Sequence, residues 1–430
     1  MSIVQEKQLA FQVAESSINV ATKPSDLAEK KLSSAIAIGL LEIARTSLDS
    51  QHWAIAAILR GDGAGPAKSL RGTSGSVENI AQSHTYLMHA LLRDDSYRTA
   101  FHPGQLVIPT CLALGQAIGV SGKEFREAVS IAYEVACRFA DIFLPDVAFR
   151  GWRITPLLAP VVASAAAISL LAPRDAGKLA DAITLSAAQM GGTLHTARGG
   201  NQWQTQSALQ VSAGIFAAKL VANNSGGIGD GLEGNMGALE QFLGRTTFTP
   251  PASDHRILDL TFKMYPAPMY AQSLLQAFDK LDIPNDFQPK KIDVFISIFA
   301  NSYAGDSRKS DAIASLENLV IEKMHELFPQ KDPISPKAGK LEVDISADTK
   351  LTEDESRIEI LDLNGKSLTS MATSKASQIG ANEIVRLFNC FPESQVISLL
   401  DSVEQLSQSI SLSNLQECWE SIVQSTKNEE

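Results

Sequence analysis

The feature that most limits the fold is a change of rhythm near Pro268. Upstream of it, apolar residues recur every three or four positions. Leu32, Ile36, Leu40 and Ile43 make one such stripe, and Val107, Cys111, Leu114 and Ile118 make another. Downstream, KKIDVFISI and KLEVDISA alternate apolar and polar residues, the two-residue period of a half-buried strand. A helix and a strand bury their side chains on different periods, so one uniform architecture cannot serve both halves.

The upstream pattern predicts helices over residues 27–59, 77–89, 106–118, 123–143, 157–171, 174–190 and 206–221, after a first helix and a turn in residues 1–25. Pro24, Ser25 and Asp26 offer an N-cap at that turn. Alanine is abundant in VVASAAAISLLA and SALQVSAGIFAAKLVA, and such small side chains let helices approach closely. Downstream, RKSDAIASLENLVIEKMHELF is amphipathic, with Ile313, Leu316, Val320, Met324 and Leu327 on one face. SRIEILDL-NG-KSLTSMAT reads as a hairpin, with Asn364 and Gly365 expected at the positive φ angles of a type I′ turn. Helical patterns resume after Ala381. The chain therefore reads as mainly α, with a smaller α+β domain over about Thr261 to Gln378.

The 430 residues exceed one comfortable core, so two domains are expected. Lys and Arg number 37 against 48 Asp and Glu, for a net charge of −11, and no basic block stands out. A nucleic-acid surface is therefore not expected. The longest apolar run, LLAPVVASAAAISLLAP, is expected to be broken by Pro160 and Pro173, which leaves too few residues for the roughly 20 a bilayer requires. The start, MSIVQEKQLAFQVAESS, does not read as a signal peptide, and a cytoplasmic protein is expected. Cys111, Cys137, Cys390 and Cys418 show no metal-ligand spacing and read as buried thiols in a reducing compartment.

Two glycine-rich stretches invite a ligand reading. RGDGAGPAKSLRGTSGS lacks the spacing of a phosphate-binding loop. NNSGGIGDGLEGNMGAL reads as helix caps and turns. The polar loop TLHTARGGNQWQTQ is more open to a ligand. The densest chemistry lies in HALLRDDSYRTAFHPGQLVIP. Asp94, Asp95 and His102 fall there in a short loop ahead of a buried helix, whose N-terminus could also receive a substrate carboxylate.

The order HALLRDD, HPGQLVIP, LALGQAIG, YEVACR, then GLEGNMGALEQF and FKMYPAP, resembles the MmgE/PrpD family from roughly Leu32 to Ala277. The resemblance implies proton chemistry on small carboxylates without metal or other cofactor, in a homodimer. It also implies that the last helices pack back on the first, making the α+β unit an insertion: residues 1–260 and 380–430 helical, 261–379 α+β. His102 stands on the family's signature histidine and Lys263 on an active-site lysine. Asp94 and Asp95 match an acidic doublet that could orient an imidazole or cap a helix, and Ser96 takes the place of a threonine. His102, Lys263 and Asp94 are therefore the expected catalytic groups.

Departures from the family pattern matter as much. Arg153 replaces a second histidine, Trp203 a lysine with Gln204 beside it, Asn318 a tyrosine, and Leu92 an aspartate. Arginine can grip a carboxylate but cannot shuttle a proton near neutral pH. Asp95, Ser96, Arg153, Trp203, Gln204 and Asn318 are thus expected to line the substrate site. Three readings remain open at this level: a lyase or isomerase of a small carboxylate, a remodelled enzyme for a bulkier and less charged intermediate, and a non-catalytic ligand-binding protein.

Overall fold

The computed structural model describes residues 8–197, 203–227, 229–249, 253–304, 315–328, 342–374 and 379–426. Most of them form a helical body. The helices Asp26–Leu48, Val77–His89, Gly104–Ile118, Gly122–Phe143, Ile154–Leu171 and Trp203–Ala222 enclose its core. Ser25 caps the first of these, accepting from the Ala28 N–H at 3.2 Å.

Three helix expectations change. The stretch 27–59 is two helices, because Asp49 leaves helical geometry and caps the second, accepting from the N–H groups of Gln51 and His52 at 2.9 and 3.0 Å. Ile118 ends its stripe 47% exposed. Pro160 does not break its helix. The ring removes one hydrogen bond, to the carbonyl four residues back, and Trp203–Ala222 packs so closely there that a Cβ on Gly214 would lie 2.2 Å from the Pro160 carbonyl oxygen. Helix Ile154–Leu171 is thus long and apolar enough to cross a membrane by length and composition, yet almost all of it is buried among other helices.

The second unit has its own core. A four-stranded sheet runs in the order Glu342–Ala347, Pro289–Ile296, Glu355–Asp362, Ser367–Thr373, with the first pair parallel and the others antiparallel. Ile292, Val294, Ile296, Ile358 and Ile360 point from it onto Leu274 and Phe278 of helix Met269–Asp279 and Val320 and Met324 of helix Leu316–Leu327. Ile313 lies outside the described residues. The hairpin forms, but without a type I′ turn. Of the pair, Gly365 alone has positive φ, at 83°. Asp362 accepts from the backbone of Asn364 and Lys366 instead, which gives a three-residue loop closed by a left-handed glycine.

The helices Ala381–Leu387, Glu393–Glu404 and Ser413–Thr426 return to the helical core. Trp419 is fully buried and donates its indole N–H to the Leu40 carbonyl at 2.7 Å. Two short ladders also lie within the helical body, which is therefore not wholly helical. One of them pairs Asp95–Tyr97 with Leu260–Phe262, Asp95 opposite Phe262. That register carries Lys263 alongside Asp94 across a long stretch of chain.

Candidate active site

His89 is the last residue of helix Val77–His89 and is fully buried. Its Nδ1 meets Asp94 Oδ2 at 2.8 Å. Lys263 donates to the other oxygen of Asp94 at 2.7 Å, and Gln105 Nε2 approaches Oδ2 at 3.3 Å. Burial alone would raise the Asp94 pKa, but the Lys263 ammonium, then His89 and His102, hold it far below the usual carboxylate range. Asp94 is thus a fixed anion behind an imidazole. Burial pushes the His89 pKa down, opposed by Asp94 and aided by Lys263 and Arg153.

His102 lies 5.1 Å from His89, ring centre to ring centre. Its Nδ1 sits 3.0 Å from the Asp95 carbonyl oxygen, and its backbone N–H donates to Thr155 Oγ1. Burial and then Lys263 place its pKa well below the ordinary histidine value. Both rings are therefore neutral near pH 7. A carboxylate and a carbonyl only accept, so each Nδ1 carries the proton and each Nε2 is left as an acceptor.

A cavity of about 50 Å³ opens in front of this pair. His89, His102, Arg153 and Thr99 provide polar groups to its wall, and Leu92, Trp203 and Met269 provide apolar ones. Arg153 Nη1 donates to the Trp203 carbonyl at 2.8 Å and to Gln206 Oε1 at 2.7 Å. Its Nη2 lies 3.4 Å from His89 Nε2. The Trp203 indole stands edge-on to His89 at 5.2 Å.

The structure therefore brings His102, Arg153 and Trp203 together on one wall and sets the other expected residues elsewhere. Lys263 does not face the cavity: its side chain is fully buried with its ammonium on Asp94. Asp95 caps a helix, accepting from the Gly104 N–H at 2.9 Å and from the Tyr133 hydroxyl at 2.7 Å. This fills the helix N-terminus where a substrate carboxylate was expected. Burial raises the Asp95 pKa to about 6. The Ser96 hydroxyl lies on the carbonyls of Arg98 and Phe101, where it ties the loop that carries His102. Gln204 donates to the Ala90 carbonyl at 2.9 Å. Asn318 sits in the first turn of helix Leu316–Leu327, away from the cavity wall. Within TLHTARGGNQWQTQ, Ala197 lines the cavity, while residues 198–202 lie outside the described residues.

Sequence reasoning missed His89 and two tyrosines on the same wall, Tyr270 and Tyr303. His89 had a signal: it opens the HALLRDD motif, five residues before the carboxylate it binds. The tyrosines had none. Among the described residues, no three His, Cys, Asp or Glu side chains stand close enough together to hold a metal ion.

The family model described as the MmgE/PrpD N-terminal domain matches residues 45–251, a span that includes His89, Asp94, His102, Arg153 and Trp203. No match was found among curated proteins.

Proposed function

We propose that the protein is a cofactor-independent lyase or isomerase, a reading supported by the match of residues 45–251 to the model described as the MmgE/PrpD N-terminal domain. It removes a proton beside the carboxylate of a small molecule. The observation that carries this reading is the Lys263–Asp94–His89 chain ending at a cavity that also holds Arg153.

His89 Nε2 is the proton acceptor in this reading. Asp94 fixes its tautomer and stabilises the imidazolium as it forms. Lys263 keeps Asp94 ionised and immobile. Arg153 holds the substrate carboxylate and stabilises the charge that moves onto it as the C–H bond breaks. His102, backed by a neutral carbonyl rather than a carboxylate, is the weaker base and positions the substrate from beside His89.

The substrate class follows from the wall. Arg153 is the one cationic side chain among the described lining residues, and Trp203, Leu92 and Met269 surround it with apolar surface. One carboxylate on a small apolar body fits this better than a triacid. A homodimer in the cytoplasm is part of the proposal on family grounds, and sedimentation of the purified protein tests the dimer.

The direct test is solvent exchange. The protein would be incubated in D2O with a panel of 2-enoic, 2-hydroxy and 3-hydroxy monocarboxylic acids, with citrate and succinate for comparison. Deuterium next to the carboxylate is read by NMR. Exchange into a monocarboxylate that His89→Ala removes is expected, with a smaller loss for His102→Ala. Undiminished exchange in His89→Ala would end the assignment of the base.

A further inference from the structure

An elimination or isomerisation returns a proton as well as removing one, and the two imidazoles leave that second task unfilled. Each holds its proton on Nδ1, against Asp94 or the Asp95 carbonyl, and each Nε2 can only accept. Asn318, where the family pattern has a tyrosine, is not on the cavity wall.

A phenol nevertheless reaches the cavity from a different helix. Tyr303 belongs to Ile298–Ala304, a helix of the insert. Phe299 of the same helix is 94% buried in the helical body's core and stands edge-on to Phe149 at 6.1 Å. The Tyr303 ring stacks on Phe299 with centroids 5.8 Å apart, so the anchor that joins the two units also orients the tyrosine. Tyr303 and Arg153 line the same cavity, and the guanidinium is near enough to pull the phenol's pKa down. A guanidinium only donates, so a phenolic oxygen beside it can only accept from it and keeps its own hydrogen for the cavity.

We propose that Tyr303 is the proton donor of this site, working with His89 as the base and beside Arg153. The inference rests on the carboxylate lyase or isomerase reading. In an elimination, His89 Nε2 takes the proton beside the carboxylate, and the C–H electron pair forms the C=C bond. The leaving oxygen departs with its own bonding pair and receives the Tyr303 proton. In an isomerisation, the same phenolic proton goes to carbon. Either way the protein is left with an imidazolium and a phenolate, the latter stabilised by the Arg153 guanidinium, and exchange of one proton with solvent restores both. Burial raises the phenol above its ordinary value despite the opposing pull of Arg153, so it carries its proton at neutral pH.

The D2O experiment separates the two halves. For whichever panel acid the wild-type protein converts, Tyr303→Phe should keep exchange beside the carboxylate and lose conversion by about 10²-fold or more. Circular dichroism should be unchanged. His89→Ala should lose both. Tyr303→Phe converting at the wild-type rate, or Tyr270→Phe showing the loss in its place, would overturn the proposal and leave the His89 assignment intact. Exchange that survives in His89→Ala would overturn that assignment alone. A wild-type protein that neither exchanges nor converts any acid of the panel would overturn both.

Discussion

Several ionisable groups in and around this site are held away from their ordinary states, each by a nameable cause. His89 and His102 stay neutral because burial disfavours the imidazolium. A base must be unprotonated to act, so the acid limb of the kcat/KM profile should fall below pH 6.5, the ordinary histidine value; a limb at or above it would show that neither ring is the base. Lys263 and Asp94 are a buried pair. Lys263→Met should destabilise the protein by about 3–5 kcal/mol in urea unfolding, since it strands a carboxylate in the interior. Glu42 is a third carboxyl near the site, on helix Asp26–Leu48. Burial raises its pKa from 4.5 to about 7, and its Oε2 has no partner. The folded state keeps its proton where the unfolded chain has lost it. Stability from this group is therefore full below pH 4.5 and disappears as pH rises to 7. Relative to Glu42→Gln, the wild-type protein should lose on the order of 3 kcal/mol across that interval.

At the scale of elements, two devices place these residues. The ladder between Asp95–Tyr97 and Leu260–Phe262 delivers Lys263 to Asp94. The close crossing of Ile154–Leu171 by Trp203–Ala222 sets Arg153, just before the first helix, beside Trp203, which starts the second. Gly214 lies in that crossing. Gly214→Ala should force the helices apart and cost about 1–3 kcal/mol, read as a lowered melting temperature. The helices were legible in the sequence because their buried faces repeat at helical spacing. The ladder was not: its strands are three residues each, too short for any period to declare itself. Asp49 was hidden for a related reason. A cap inside continuous helical periodicity differs from a solvated aspartate only through the backbone N–H groups it meets.

At the scale of the molecule, the cavity lies where the insert's helices Met269–Asp279 and Ile298–Ala304 meet the helical body. The body itself is completed from the far end of the chain. Trp419 closes the core over helix Asp26–Leu48, and Trp419→Ala should cost about 3–5 kcal/mol. If the two cores are coupled, a single unfolding transition should shift. A shift in helical signal alone would mean that the sheet unit melts independently.

The sequence by itself determined the class of the fold, because burial periods are local and survive in one dimension. It also identified the segment bearing Asp94 and His102, because those residues are neighbours along the chain. Tertiary structure alone decided which groups face the cavity. Lys263 turned to Asp94, Asp95 to a helix end and Ser96 to its own loop, while Tyr303 came to Arg153 from the other unit. Whether a charged or phenolic side chain binds the protein or a substrate depends on what long-range packing sets within about 3 Å of it, and sequence spacing carries no record of that.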